Sequence, residues 1–257
     1  MATLLFFSGA ILPAQQNADP YPFAAGNYWI YQGRVTVPAR ETAPGHWLPP
    51  ESKEMTWRSE ITKVVYRKGG VETKGDLSPS IVAAVFDNFP LGLTAWFPGS
   101  EGFLGILIQV NSGKFYAITY TEAAFGKPGM KSAPYKISGI MARVQDPHDN
   151  LRDLLGNATP IIDLPLAPGK GWGAPFTHWS VTRRENGSLT GLRGAPATLN
   201  REGFTLETSD NTGNVRFDFV PGVGITRVFC ESLFPRGDAN HRELEVRLVE
   251  VHLDKTK

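Results

Sequence analysis

Tyr21-Pro-Phe-Ala-Ala-Gly-Asn-Tyr-Trp-Ile-Tyr31 has an echo in the second half of the chain, Leu164-Pro-Leu-Ala-Pro-Gly-Lys-Gly-Trp172. Pro22 and Pro165, Ala24 and Ala167, Gly26 and Gly169, and Trp29 and Trp172 align without a gap. Proline fixes an extended approach and glycine permits a tight turn. A tryptophan three residues later can anchor the strand that begins there. No His, Ser or acidic residue occupies the matching positions, so the repeat reads as a structural device that opens each of two β units. Gly222 and Gly224, in Pro221-Gly-Val-Gly224, mark a third turn into a strand.

Working outward, residues 21–160 form the first β unit and 161–257 the second. Tyr28, Ile30 and Gln32 alternate with Trp29, Tyr31 and Gly33, and Met55 to Arg67 alternates in the same way. Phe103 to Val110, the turn Asn111-Ser-Gly113 and Phe115 to Thr121 spell a hairpin. Ile81 to Phe86 is an apolar strand, and Pro134 to Val144 reads as another. Asp146-Pro-His-Asp149 caps a single short helix, Asn150 to Leu155. His178 to Arg184 is a strand that Glu185-Asn-Gly187 turns back. Near the end the apolar phase shifts from Leu244, Val246 and Leu248 to Val249, Val251 and Leu253, which requires a bulge near Leu248–Val249. The expected fold is mainly β: an antiparallel, strongly curved sheet or half-barrel built from two similar halves. Two lobes and one long wrapped sheet both fit the pattern.

Composition agrees. Twenty-seven glycines and 20 prolines make a turn-rich chain, which favours many short strands over long helices. Lys and Arg total 26 against 25 Asp and Glu, so there is no basic footprint for nucleic acid. Cys230 is the single cysteine, so no internal disulfide can form. The apolar run Leu4 to Leu12, followed by Pro13-Ala14, fits the core of a secretory leader cleaved after Ala14. No Lys or Arg precedes the run, so either the true start lies upstream or the run is a buried N-terminal segment. Residues 15–20 are then a polar lead. No other run reaches the length of a membrane helix.

Catalytic signatures are missing: there is no G-x-S-x-G elbow, phosphate loop, H-E-x-x-H or dinucleotide fingerprint. No cofactor and no metal site are expected. His148 among Asp146, Asp149 and Asp153 reads as a helix cap. Glu60, Asp87, Glu207 and Asp218 are candidate glycosidase carboxylates only through their place in or beside strands. The binding candidates are aromatic residues in apolar loops: Trp47 in the long loop Pro38 to Pro50, and Phe89, Trp96 and Phe97 in the loop after Phe86.

Gly26-Asn-Tyr-Trp-Ile-Tyr31, Pro165-Leu-x-x-Gly-x-x-Trp172 and Phe219-Val-Pro-Gly-Val-Gly224 together resemble a loose group of secreted bacterial β-rich proteins, some called TapB-like. The resemblance touches about a quarter of the chain and carries no catalytic residue. It implies an extracytoplasmic location, periplasmic or secreted, and a curved antiparallel sheet. The expected function is that of a non-enzymatic extracytoplasmic protein, an accessory subunit of an envelope assembly or a binder of an apolar or polymeric ligand. The alternatives are a secreted glycan-active hydrolase or lyase, and a lipid or pigment carrier.

Overall fold

The computed structural model describes residues 20–37, 39–71, 77–95, 103–121, 137–149, 151, 155, 158–174, 177–189, 191–194, 200–210, 213–232 and 243–254. The expected leader therefore lies outside the described residues. The strands in chain order are β1 Tyr28–Val37, β2 Arg40–Ala43, β3 His46–Leu48, β4 Glu51–Arg67, β5 Gly70–Val71, β6 Leu77–Ser78, β7 Ile81–Asp87, β8 Phe103–Val110, β9 Lys114–Thr121, β10 Ile162–Asp163, β11 Gly171–Ala174, β12 Thr177–Ser188, β13 Asn200–Asp210, β14 Gly213–Val220, β15 Gly224–Ser232 and β16 Glu243–His252. A 3-10 helix spans Pro90–Ala95, and an α-helix, α1, spans Ile137–Gln145.

Twelve of the strands form one antiparallel sheet in the order β10-β9-β8-β7-β4-β1-β16-β15-β14-β13-β12-β11. Its first six members come from residues before 164 and its last six from residues after 170, and the two runs join where β1 pairs with β16. The two ends of this order, β10 and β11, are linked by residues 164–170 alone. The sheet therefore curls until it nearly closes into a barrel.

Alternation along β1 sends Trp29, Tyr31 and Val35 inward and leaves Gln32 and Arg34 outside. The interior is an aromatic core. The Tyr21 ring lies 5.4 Å from Phe23, 5.7 Å from Trp29, 6.0 Å from Phe86 and 6.3 Å from Phe219. Leu206, Phe217, Val228 and Val246 complete it from the other half of the sheet. Both runs of strands thus share one core.

A second cluster lies on the outer face of the first run. Val65, Ile81, Ala83, Val85, Ile106 and Ile108 pack there against Ile140, Met141 and Val144 of α1. Strand β7 is therefore covered on both faces, which explains its unbroken apolar run. The buried Arg67 guanidinium donates to the carbonyls of Asp146 and Asp149 at 2.5 and 2.6 Å, tying down the chain at the end of α1. These carbonyls suit a cation, as helix C-terminal ends do.

Three sequence expectations are corrected. Residues 137–144 are helical, because Ile137, Ile140, Met141 and Val144 follow the helical period and not the strand period. Of the expected helix Asn150 to Leu155 most lies outside the described residues; within it Leu155 is helical and donates its amide to the Leu151 carbonyl at 2.8 Å. Asp149 still caps, accepting from the Leu151 amide at 2.7 Å. Glu185-Asn-Gly187 is no turn: Asn186 pairs with Glu202 and Gly187 with Arg201, so β12 continues, and the chain turns later, where Gly191 and Gly194 take positive φ. The ladder to β13 overrides a local turn preference. The supposed long loop 38–50 contains the paired strands β2 and β3. The bulge expected near Leu248–Val249 is present: Ile30 faces Glu250 while Tyr31 faces Leu248, leaving Val249 unpaired against β1.

Candidate functional site

The motif positions picked out in the sequence sit at turns and at the strands that leave them. Gly26 and Gly169 adopt φ of 93° and 81°, a region that side chains disfavour. Gly222 and Gly224 do likewise at 77° and 103°. Trp29 donates its indole N–H to the Val223 carbonyl at 2.7 Å, and Trp172 donates its own to Pro160 at 2.7 Å. Pro22 accepts from the Asn27 side chain at 2.9 Å, and Pro165 follows a cis peptide bond. Cys230 is a buried free thiol.

The binding candidates separate. Phe89 is fully buried, edge-on to Phe86 at 5.0 Å, and belongs to the core. Trp96 and Phe97 lie outside the described residues. Trp47 is 60% exposed and its neighbour Leu48 is 42% exposed. Both sit at the end of a ribbon that the sequence did not reveal. Val37 faces Glu51, Arg40 faces Leu48, and Glu41 faces Trp47, so the register of β1 with β4 runs unbroken into β2 and β3. The ladder is interrupted opposite Pro49-Pro50, which have no amide to give. The turn at its tip uses Gly45 with φ of 81°, and the Gly45 amide donates to Glu41 Oε1 at 2.7 Å. Residues 41–54 are exposed throughout. Among the described residues the barrel hairpin therefore continues past the end of the β1–β16 ladder as a two-stranded arm that pairs with no other strand.

Below the arm, the outer face of β4, β1, β16 and β15 is a lattice of ion pairs. Arg34 meets Glu54 at 3.1 Å, Arg227 meets Glu245 at 2.7 Å, and Arg247 meets Glu245 at 3.1 Å. Burial pushes the Glu245 carboxyl up, but the hydrogen bond from Arg247 and the charge of Arg227 outweigh it and hold the group below the usual carboxylate range. Arg34, Glu54, Glu245 and Arg247, with Gln32, Thr36 and the half-buried Phe229, line an open groove of about 450 Å³. Nearer the base of β1, Tyr28 is stacked on His252 at 5.1 Å, and the Arg58 guanidinium lies 3.9 Å from the centre of the Tyr28 ring.

Of the four candidate carboxylates, the ladder sets Glu60 directly opposite Asp87. Glu60 is bound by Arg58 at 2.8 Å. Asp218 accepts from Thr205 at 2.7 Å, and Glu207 pairs across the strand with Arg216. Among the described residues no group of three or more His, Cys, Asp or Glu side chains is placed to hold a metal ion. Among them, too, no helix is long and apolar enough to cross a membrane.

No protein-family model matches the chain, and no curated protein does. Among solved structures, the chain is similar to a "putative lipoprotein" from Parabacteroides distasonis ATCC 8503. That alignment covers 92% of this chain and 100% of the other, at 12% identity and a TM-score of 0.36.

Proposed function

We propose that the protein is a non-enzymatic extracytoplasmic binding protein, an accessory subunit of an envelope assembly, and that the projecting arm is its contact element. The observation that carries this is the arm itself. An isolated two-stranded ribbon is marginal in water, yet this one holds Trp47 and Leu48 out in solvent. A large aromatic side chain at such a tip suits a boundary where one side is apolar and the other wet. The apolar leader-like run Leu4 to Leu12 and the resemblance to secreted β-rich proteins support the location. The aromatic filling of the barrel favours this reading over a carrier, which needs an apolar interior cavity.

The test is site-specific photo-crosslinking in the native cell. A photoreactive side chain at position 47 should yield a crosslinked product, and one at Arg216 on β14 should not. Absence of any product at 47, or equal products at both positions, would remove the arm from the proposal. The glycan-active reading keeps one observation in its favour, the placement of Glu60 opposite Asp87 beside Tyr28. It requires that Glu60→Gln abolish turnover of a glycan the wild type cleaves.

A further inference from the structure

We infer that the arm's tip docks on a zwitterionic phospholipid surface, an inference that rests on the proposal that the arm is the contact element. Adjacent residues of a strand point to opposite faces, so Trp47 lies on one side of the ribbon and Leu48 on the other. A contact with the flat face of a second copy would gather apolar groups on one side. Apolar groups on both sides suit a medium that surrounds the tip.

Area points the same way. A Trp and a Leu together offer on the order of 300 Å², whereas a stable protein interface takes about 800 Å² from each partner. Partition into a lipid interface has no such threshold, because each buried group adds its own share, and tryptophan is enriched at that level. The tip residues 43–50 carry no formal charge. Around them stand Arg40 and Lys53 against Glu41, Glu51 and Glu54, an arrangement without the cationic excess an anionic membrane selects.

The arm also leaves the barrel at the end of β1 remote from Pro20. The chain enters the barrel at the opposite end of β1, where Pro20 accepts from the Gly222 amide at 2.9 Å. Seven residues from Val37 to the tip reach about 23 Å beyond the rim.

The experiment uses the full chain with phosphatidylcholine–phosphatidylethanolamine vesicles, read by co-sedimentation and by quenching of tryptophan fluorescence with brominated lipid. The wild type should bind weakly, with little dependence on salt. Trp47→Ala with Leu48→Ala should lower the partition coefficient about ten-fold or more and leave the thermal midpoint unchanged, since neither side chain belongs to either apolar cluster of the barrel. Trp47→Phe should keep most of the binding while losing most of the quenching. No binding by the wild type, or equal binding by the double variant, overturns the inference. If the wild type ignores vesicles while position 47 still crosslinks to a protein, the lipid reading falls and the arm's role stands. If the double variant instead dissolves a dimer seen for the wild type, the occupant is a second copy and the inference falls.

Discussion

The turns that open the two runs of strands make the same hydrogen bonds and lead to different ends. In the first, Asn27 N–H donates to Ala24 O, Gly26 N–H to Ile61 O, and Ile61 N–H to Asn27 O. In the second, Lys170 donates to Ala167, Gly169 to Val181, and Val181 to Lys170. Backbone conformation and ladder contacts correspond step for step. Yet the first turn feeds a ten-residue strand paired on both sides, while the second feeds the four-residue β11, paired to β12 alone. The junction of β1 with β16 is a closed ladder. Its counterpart between β10 and β11 is a seam bridged by side chains: Trp172 to Pro160 at 2.7 Å, and Lys170 to Asp163 and to the Pro165 carbonyl. One backbone device can thus nucleate either a welded or a laced joint. The strand leaving the turn, and the neighbours it finds, decide between them.

The welded joint should be the less tolerant. A Cβ built on Gly33 would lie 1.9 Å from the Glu245 carbonyl oxygen of β16, backbone that cannot yield without parting the strands. Gly33→Val is expected to prevent folding, seen as loss of the cooperative transition. A Cβ on Gly169 in the seam turn meets nothing within 4 Å. Gly169→Ala should therefore cost only the strain of its positive φ, about 1 kcal/mol. Equal damage at the two positions would erase the distinction between the joints.

The paired tryptophans sharpen the contrast. Trp29 is wholly buried among Tyr21 and Phe86, whereas Trp172 is 9% exposed at the seam. Trp29→Ala should cost about 4–5 kcal/mol and Trp172→Ala about 3 kcal/mol in denaturant titrations. The reverse order would mean that the seam holds the barrel together.

A smaller effect separates the two runs on their outer faces. Among the described residues the first is covered by α1 and the second by no helix. The Arg143 hydrogen bond to Asp149 leads the influences that hold this carboxyl below its ordinary value, and the Leu151 amide adds to it. A depressed folded pKa contributes stability above the unfolded value of 3.8. That stability is lost as the pH falls through the folded value. Hydrogen exchange in β7 and β8 should therefore quicken in acid before it does in β13 and β14, and Asp149→Asn should remove that acid sensitivity.

How much of this could be read in the sequence depends on range. The repeated turn, the 103–121 hairpin and the bulge at Val249 follow from local pattern. The helix was also legible in the spacing of Ile137, Ile140, Met141 and Val144, but Pro134 and the surrounding strands masked it. The curved, half-barrel sheet was legible too, but not that the two runs join where β1 meets β16, a pairing across more than two hundred residues. Nor could Trp47 be told from Phe89, since both sit in apolar stretches rich in proline. The difference is made by Gly105, where a Cβ would lie 2.4 Å from the Phe89 Cβ. That glycine leaves the room into which Phe89 folds, whereas Trp47 stays 60% exposed.

The finest distinction lies inside the first turn's own aromatic cluster. Tyr31 donates its hydroxyl to the Ile225 carbonyl at 2.8 Å, while the buried Tyr21 hydroxyl has no hydrogen-bond partner among the described residues. Removing a satisfied hydroxyl leaves a carbonyl stranded, so Tyr31→Phe should cost about 1–2 kcal/mol. Removing the unsatisfied one should be neutral or stabilising by about 1 kcal/mol, so Tyr21→Phe is the variant to expect at or above the wild-type midpoint. Alkali gives a second readout. Burial pushes both phenols up, helped for Tyr31 by the neighbouring Tyr21, so neither ionises readily in the fold. The folded chain then holds protons that the unfolded chain releases above the ordinary value of 10.0. Stability is full below that pH and falls as the pH rises past it. Tyr21→Phe should flatten this alkaline fall as well as leave the neutral midpoint intact. A variant that loses stability at neutral pH would show that the Tyr21 hydroxyl is bonded after all, and that the first turn fills the barrel with its polar atoms as well as its rings.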